Sequence, residues 1–461
     1  MCSSDLKVLG EALTKGKRAK EAIAPLQRAI SMDPNDPETW NLLANAYKAD
    51  DLHDEAISAY EEAIELNPNV AYFYSNLADL YEMVNKPDEA TKLVQRALNV
   101  APEDPYILFI AAKCDEREEK YAEALQKLEN IDDAELIDDV RMGKAFLLAR
   151  LHDAVGDTDA AFDSFKHANS ILQCRAVDPK VSRDFRAKIA DLTKTICPEW
   201  VSSLNVKPFE NPPAFLIGFP RSGTTLLEHV LDSHTKIQSM DEKPSISAIA
   251  DALAVTADGY PNVLTKMDDT QTKELQKNYF NVTDHFIERD ESCLLLDKLP
   301  LSIVNIPLIY RLFPNAKILF GLRHPCDVCL SCFMQSFEPN AAMDNFYNLD
   351  DAVRLYVQVM TLWSNIESSF PLDVHYVRYE DMVADFDQKV SAVLSFLDVP
   401  WDDSVTRFVE SSRGKRISTP SYRQVSQPIY NRAVERWRRY EKHMERYLQQ
   451  LNPFIERFGY Q

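Results

Sequence analysis

Two of the ten glycines in this 461-residue chain fall within one short segment, residues 218–225 (GFPRSGTT). The apolar run 214–217 before it predicts a buried strand, and residues 226–231 after it predict a helix. A glycine loop between a strand and a helix directs backbone N–H groups and the positive end of the helix dipole at a phosphate. The spacing is that of the nucleotide-binding P-loop, with Thr224 in place of the lysine. The segment therefore predicts an anion-binding loop and disfavours an NTPase, which needs that lysine.

A second pair of residues that could hold a phosphate follows a later apolar run. Residues 317–322 (KILFGL) predict a strand, Arg323 follows it directly, and Ser331 lies eight residues further along. A guanidinium group pairs bidentately with phosphate, and a hydroxyl adds one hydrogen bond. Arg323 and Ser331 are therefore candidates for a second phosphate site.

Charged residues also follow two other short segments. Residues 293–296 (CLLL) predict a strand that leads into Asp297 and Lys298, while Asp241 and Glu242 come shortly after the first helix of the same region. An apolar run that ends in aspartate is also typical of a Walker B strand, in which Asp297 would bind Mg²⁺. The residues alone leave open whether Asp297 is such a metal ligand or has a structural role.

The segment 220–225 (PRSGTT) resembles the 5′-phosphosulfate loop of sulfotransferases that use 3′-phosphoadenosine 5′-phosphosulfate (PAPS). The resemblance is strongest to protein-tyrosine sulfotransferases and to bacterial sulfotransferases preceded by tetratricopeptide repeats, and its sulfotransferase part runs from about residue 212 to about residue 440. It implies PAPS as co-substrate, no metal, and transfer of a sulfuryl group to a hydroxyl acceptor, with peptidyl tyrosine as the candidate acceptor. The residues that it assigns to PAPS binding are Arg221, Ser222, Gly223, Thr224, Thr225, Arg323, Ser331, Ser421 and Arg436.

The same resemblance assigns the catalytic roles. In the tyrosine-type family the catalytic base lies 21 residues after the loop arginine. In this chain the loop arginine is Arg221, and the residue at that spacing is Glu242. A carboxylate at that position can accept the proton of the acceptor hydroxyl, and Asp241 is the competing candidate. Lys298 matches the lysine that offsets negative charge on the leaving phosphate and the transferring group.

A basic stretch lies near the carboxyl terminus, where residues 413–446 carry ten Lys and Arg against three Glu. In an acidic chain such a stretch indicates a local anionic ligand, although a solvated basic helix face has the same composition. The segment 421–428 resembles the family's loop that closes over the nucleotide. Ser421 there matches a serine near the sulfuryl group, Arg436 takes the place of a phosphate-contacting lysine, and Arg423 departs from the family's acidic residue.

Other interpretations remain open at this point. The modified loop could belong to a nucleotide kinase or NTPase, or the second domain could hold a nucleotide without catalysis and act as an adaptor. Cys326, Cys329 and Cys332 have the spacing of an iron–sulfur motif, but no fourth cysteine follows them. A spacing of three is equally that of a buried stripe of small residues on a helix.

The first third of the chain repeats with a period of 34 residues. Prolines recur in register at positions 34, 68 and 102, and alanines recur at positions 22, 56, 90 and 124. Small residues let the two helices of a repeat approach closely, and proline ends the second helix. This pattern is that of tetratricopeptide repeats, clearest over 3–36, 37–70 and 71–104 and degenerate over 105–173. Such an array predicts either a scaffold or a concave surface that recruits a protein partner or the acceptor.

Prolines 198, 208, 212 and 213 mark a boundary between two domains, because proline at this density ends helices. We therefore predict a repeat array over 3–197, a linker over 198–213 and a sulfotransferase-like domain over 214–461. The expected fold is an N-terminal all-α tetratricopeptide solenoid followed by an α/β, P-loop-like domain with a mostly parallel sheet.

Composition limits the partners and the location. The formal net charge of −21 disfavours nucleic acid, whose phosphates require a basic surface. The sequence has no apolar run of 18 residues and no N-terminal signal pattern, which predicts no membrane association. The eight scattered cysteines do not form the framework of a small secreted domain, so we expect a cytoplasmic location.

Overall fold

The computed structural model describes residues 2–16, 18–84, 86–174, 178–408 and 433–460. Contacts within the chain divide it into two compact units, Met1–Ala168 and Asn169–Gln461. No helix in the described ranges is long and apolar enough to cross a membrane.

The first unit consists of consecutive helices that follow the 34-residue period. Its helices are Ser3–Lys15, Ala19–Met32, Pro37–Ala49, His53–Leu66, Ala71–Met83, Pro87–Val100, Pro105–Arg117, Tyr121–Glu129, Asp138–Ala154 and the first part of Thr158–Gln173. The recurring alanines 22, 56, 90 and 124 are all completely buried. A larger side chain at any of them would separate the paired helices, which explains why the register requires a small residue.

Ion pairs join the first helices of successive repeats. Asp79 lies between two lysines, 2.7 Å from the ammonium group of Lys48 and 3.0 Å from that of Lys113. Further along the array, Arg150 donates to Glu116 at 2.6 Å. These partners are separated by 31 to 34 residues, so the repeat period sets the polar contacts as well as the apolar ones.

The second unit is built on one five-stranded sheet. Its strands are β1 (Ala214–Gly218), β2 (Ile237–Asp241), β3 (Leu294–Lys298), β4 (Lys317–Leu322) and β5 (Asp373–Arg378). All neighbours are parallel, in the order β2-β3-β1-β4-β5. The described helices of this unit that are entirely within it are Pro179–Thr195, Pro198–Ser202, Thr224–Asp232, Ser245–Ala254, Asp269–Phe286, Ile306–Leu312, Pro325–Phe333, Leu349–Ser369, Tyr379–Ala384, Phe386–Phe396 and Glu441–Arg457. The strand order places β1 at the centre of the sheet, with β3 and β2 on one side and β4 and β5 on the other. Ligands of open α/β sheets bind at such a point, where the direction of the strand order reverses.

The helix Pro179–Thr195 belongs to this second unit, whereas the boundaries expected from the sequence include it in the repeat array. The carbonyl of Thr193 accepts a hydrogen bond from the amide of Asn365 at 2.8 Å. Its Arg186 donates to the side chain of Asn345. Asn169, the first residue of the unit, donates to the carbonyl of Phe333 at 2.7 Å and is buried.

Candidate functional site

The candidate site lies at the carboxyl ends of β1 to β4. Register pairs Gly218 with Gly321 on one side of β1, and Lys298 with Asp241 on the far side of β3. Because parallel strands end at the same edge, segments that are up to a hundred residues apart in sequence meet there. The glycine loop, Glu242, Lys298 and Arg323 therefore all lie at this edge of the sheet.

The glycine loop has the backbone that an anion-binding loop requires. Gly223 has φ = +86° and precedes the helix Thr224–Asp232, and a Cβ atom on it would lie 2.7 Å from the ring of Tyr379. Only glycine fits both restrictions. Arg221 also has a positive φ of +70°. Residues other than glycine rarely adopt this backbone conformation, and such residues are concentrated at functional sites. The first backbone N–H groups of the helix are therefore presented at the loop.

The two predicted phosphate sites meet at the loop. The guanidinium Nε of Arg221 donates to the hydroxyl of Ser331 at 3.1 Å, across 110 residues of sequence. Arg323 donates to the carbonyl of Arg221 at 3.2 Å and lies 5.1 Å from the centre of the Tyr379 ring. Arg323 is only 7% exposed. Two arginines and a hydroxyl thus converge at the start of a helix, which is an arrangement suited to an anion.

A carboxyl-terminal segment is placed against this group. Arg323 donates to the carbonyl of Ala433 at 2.5 Å, and the backbone N–H of Trp437 donates to Asp327 at 2.8 Å. Arg436 begins the short 3₁₀ helix Arg436–Tyr440 in this segment. Ser421 lies outside the described residues.

The two predicted catalytic residues contact each other. The ammonium group of Lys298 lies 2.9 Å from the Oε1 atom of Glu242 and is also paired with Asp241. Lys298 is completely buried, whereas the Glu242 side chain is 37% exposed. Burial acts to lower the pKa of Lys298, but Glu242, Asp241 and Glu228 together raise it. The lysine therefore stays charged, and the exposed carboxylate beside it is open to a substrate.

The backbone fixes the direction of Glu242. Its φ is +49°, and its N–H donates to the carbonyl of Lys298 at 2.8 Å. A non-glycine residue in the left-handed region costs of order 1–3 kcal/mol and persists only where its surroundings determine it. This left-handed residue follows directly after β2, and its side chain lines the same cavity as Arg221.

Glu228 is a residue of this cluster that the sequence analysis missed. It is 4% exposed, accepts a hydrogen bond from Ser239, and has its Oε2 atom 3.6 Å from the ring of His229. Burial raises its pKa to about 7, against the lowering effect of Lys298. A glutamate among the leucines and the valine of the helical stretch 226–231 was the available signal, because a buried charge needs a partner.

Asp297 points away from this cluster, since successive side chains of a strand lie on opposite faces. Its carboxylate accepts from the hydroxyl of Ser245 at 2.6 Å and from that of Tyr279 at 3.0 Å. Burial raises its pKa to about 6. These contacts favour a structural role over the Mg²⁺ ligand of a Walker B strand.

The cysteine stripe is buried on the helix Pro325–Phe333. Cys326, Cys329 and Cys332 are all completely inaccessible, and burial raises the pKa of each thiol well above its usual range. In the described part of the chain, no group of three metal-ligating side chains is assembled. The packing is that of a small-residue stripe.

A cavity of about 910 Å³ opens beside the loop. Arg221, Thr224, Thr225 and Glu242 line it. Its volume is within the range of small-molecule pockets. The cavity is therefore large enough to admit a small molecule beside the carboxylate of Glu242.

Comparison with known proteins agrees with this geometry. Residues 212–403 match the sulfotransferase family, and residues 36–103 and 10–51 match tetratricopeptide repeats. An uncharacterized protein of Aquifex aeolicus is 28% identical over 336 residues, which are 68% of this chain and 41% of that protein. Protein-tyrosine sulfotransferases of Drosophila melanogaster (26% identical, 50% of this chain, 47% of that protein) and Caenorhabditis elegans (25%, 49% and 61%) are also similar.

The chain thus spans between 41% and 61% of the length of these relatives. Among solved structures, a thermophilic TPR protein of Thermus thermophilus is 18% identical, with a TM-score of 0.31 over 36% of this chain and 90% of that one. The glycine loop, the ends of all four site strands and the Arg323–Ser331 pair fall within the residues that match the sulfotransferase family. The chain therefore combines a sulfotransferase-family domain with N-terminal tetratricopeptide repeats.

Proposed function

We propose that this protein transfers a sulfuryl group from PAPS to a hydroxyl acceptor. The observation that carries the proposal is the convergence of two anion sites beside one acid–base pair. The loop helix and the Arg323–Ser331 pair are joined by the 3.1 Å contact of Arg221 with Ser331. Lys298 and Glu242 lie at the same sheet edge. A donor with two separated phosphate groups, as in PAPS, matches this pair of sites.

The residues present fit such a donor. The first N–H groups of Thr224–Asp232 and the side chain of Arg221 would hold the 5′-phosphosulfate, and Arg323 with Ser331 would hold the 3′-phosphate. When bound, PAPS supplies a sulfuryl group on an activated phosphate–sulfate bond. Ser421 and Arg436 stay predicted donor contacts.

Two side chains of the protein, Glu242 and Lys298, have separate roles in the transfer. A carboxylate oxygen of Glu242 accepts the proton of the acceptor hydroxyl as that oxygen bonds to sulfur. Lys298 remains charged and stabilises the negative charge that develops as the bond from sulfur to the phosphate oxygen breaks. The sulfuryl group ends on the acceptor, the electron pair ends on the phosphate, and the proton ends on Glu242.

The names of the similar animal enzymes support peptidyl tyrosine as a candidate acceptor. The repeats support a second element of the proposal, recruitment of a protein partner or acceptor, because an array of this kind presents an extended surface. The cytoplasmic location expected from the sequence stays a prediction.

Donor binding tests the proposal directly. Without Mg²⁺, 3′-phosphoadenosine 5′-phosphate should raise the melting temperature, and at about 100 times its Kd it should add about 2.7 kcal/mol to the unfolding free energy. ATP, which lacks the 3′-phosphate, should shift it weakly. Ser331→Ala should reduce the shift given by the bisphosphate more than the shift given by ATP. Equal shifts from both nucleotides would remove the 3′-phosphate assignment, and Mg²⁺-dependent turnover of ATP would favour the kinase alternative.

A further inference from the structure

Glu228 reaches the charged cluster around Lys298 from the helix that follows the glycine loop. Its carboxylate accepts a hydrogen bond from the hydroxyl of Ser239 on β2. Ser239 and Asp241 lie two residues apart on that strand, so their side chains share one face of the sheet. Lys298 is paired in register with Asp241, projects from the same face and forms an ion pair with it. Glu228 therefore lies on the face of the sheet that carries this ion pair.

Three carboxyl groups share one ammonium group in this cluster. Asp241 and Glu242 both contact Lys298, so when both are ionised the lysine leaves one of their two negative charges unbalanced. An ionised Glu228 would leave two negative charges unbalanced. Uncompensated charge is costly to bury, and a buried carboxyl group avoids this cost by keeping its proton. The charge balance of the cluster therefore favours one protonated carboxyl group.

Glu228 is the carboxyl group best placed to keep that proton. Its side chain is 5% exposed, whereas those of Asp241 and Glu242 are 23% and 37% exposed and contact the ammonium group. Its Oε2 atom is buried and has no hydrogen-bond partner in the described part of the chain. In agreement with this environment, burial raises its pKa to about 7. Near neutral pH, the protonated and the ionised forms of Glu228 are therefore both populated.

Two further titratable groups lie on the same helix as Glu228. His229 has its ring 3.6 Å from the Oε2 atom, and Asp232 adds negative charge nearby. Strand β1 contributes no titratable residue, and the 3₁₀ helix Asp403–Arg407, which also packs against this helix, has its charged residues exposed. Histidine is the other side chain that commonly titrates near neutral pH, so a test has to separate His229 from Glu228.

We infer that Glu228 is a positioning residue that holds a proton beside Lys298 and thereby keeps the charge of the ammonium group available to the donor. While Glu228 is protonated, the ammonium group faces two carboxylates. When Glu228 releases its proton to solvent, a third negative charge opposes the phosphates of the donor and offsets the stabilisation that Lys298 gives to the leaving group. The inference rests on the proposed sulfuryl transfer, in which Lys298 has that role. Donor affinity and turnover should both fall as pH rises through neutrality.

Binding of 3′-phosphoadenosine 5′-phosphate to the full chain tests the inference directly. Between pH 6 and pH 8.5, the Kd of the parent should rise about tenfold more than that of Glu228→Gln, which cannot ionise and can still accept from Ser239. One unit charge at roughly 10 Å in protein surroundings accounts for a factor of this size. Titration of the nucleotide itself is common to both proteins and cancels in the comparison. At pH 6 the two dissociation constants should be similar.

The parent alone supplies a second measurement, which does not depend on the folding of a variant. Because the donor favours the protonated form, its binding should draw a proton from solvent onto Glu228. From a starting pKa of about 7, a tenfold preference corresponds to uptake of about half a proton at pH 7.5. Calorimetry in two buffers of different ionisation enthalpy measures this uptake. The phosphates of the nucleotide are almost fully ionised at that pH.

Turnover supplies a result that a purely structural role would not produce. With PAPS and N-acetyltyrosinamide, whose hydroxyl titrates only near pH 10, the kcat of the parent should fall above pH 7. Glu228→Gln should keep its kcat in this range and should therefore be several-fold faster than the parent at pH 8.5.

Two variants serve as controls. Asp297→Asn removes another buried carboxyl group of the same sheet, but one on the opposite face, where it contacts Ser245 and Tyr279. His229→Gln removes the neighbouring histidine. Both variants should retain the pH dependence of the parent.

The outcomes separate the inference from the function beneath it. The same pH dependence in Glu228→Gln and the parent, or binding without proton uptake by the parent, would overturn the inference alone. Loss of the pH dependence in His229→Gln, with its retention in Glu228→Gln, would assign the titration to His229 and would also overturn it. Absence of bisphosphate binding at every pH would overturn the inference and the proposed function together.

Discussion

Glu228→Gln should change how the stability of the second unit depends on pH. Glu228 is buried, and its folded-state pKa of about 7 lies well above the ordinary value of 4.5. Between these values the folded protein retains a proton that the unfolded chain releases. The unfolding free energy of the parent therefore falls as pH rises through this window. Glutamine cannot titrate, can still accept a hydrogen bond from Ser239, and removes this fall.

The magnitude follows from the two pKa values. At 1.36 kcal/mol per unit, the loss of stability of the parent between about pH 5.5 and pH 8 amounts to about 2 kcal/mol. Both pH values lie above the sequence isoelectric point of 4.9, so the protein keeps the same sign of net charge. Relative to the parent, the glutamine variant should thus gain about 2 kcal/mol of unfolding free energy over this interval.

Urea unfolding followed by tryptophan fluorescence measures this difference in the relevant unit. Four of the five tryptophans, at positions 200, 363, 401 and 437, lie in the second unit, so the signal reports mainly on it. Glu291→Gln is the control, because the Glu291 side chain is 84% exposed. The reasoning fails if the difference between Glu228→Gln and the parent is the same at both pH values, since Glu228 would then titrate normally in the folded protein.

Three other predictions concern catalysis and domain limits. The Glu242→Gln variant should bind the bisphosphate normally, and its turnover, measured with a labelled donor, should fall by about 10²–10⁴. Near-normal turnover of this variant, together with a large loss of turnover in Asp241→Asn, would assign the role of base to Asp241. Lys298→Met, which removes the charge and keeps an unbranched side chain one atom shorter, should lower turnover by about 10²–10³ at saturating substrate, and an unchanged kcat would remove its charge from the mechanism. A fragment of residues 169–461 should unfold cooperatively on heating. A fragment of residues 205–461 lacks the helix Pro179–Thr195 and should have a lower melting temperature or aggregate. Equal melting temperatures of the two fragments would show that this helix is dispensable.

Local patterns in the sequence were sufficient for the repeats and for the fold class. The 34-residue period predicted the helical array, because a small residue at each close approach is a requirement of the individual repeat. The apolar runs that end in Arg323 and Lys298 predicted strands, and both strands are present in a parallel sheet. These signals are readable because each depends on neighbours within one or two elements.

The assembly of the candidate site was decided by the tertiary structure. Only the strand order brings Arg221 to Ser331 across 110 residues and places Lys298 beside Glu242 across 56. The pKa of Glu228 rises because packing removes water from it, and no short segment of sequence states how completely a side chain is buried. The helix Pro179–Thr195 has the same local helical pattern as the repeats before it. Its place in the second unit depends on contacts with residues more than 150 positions away, which a local pattern cannot encode.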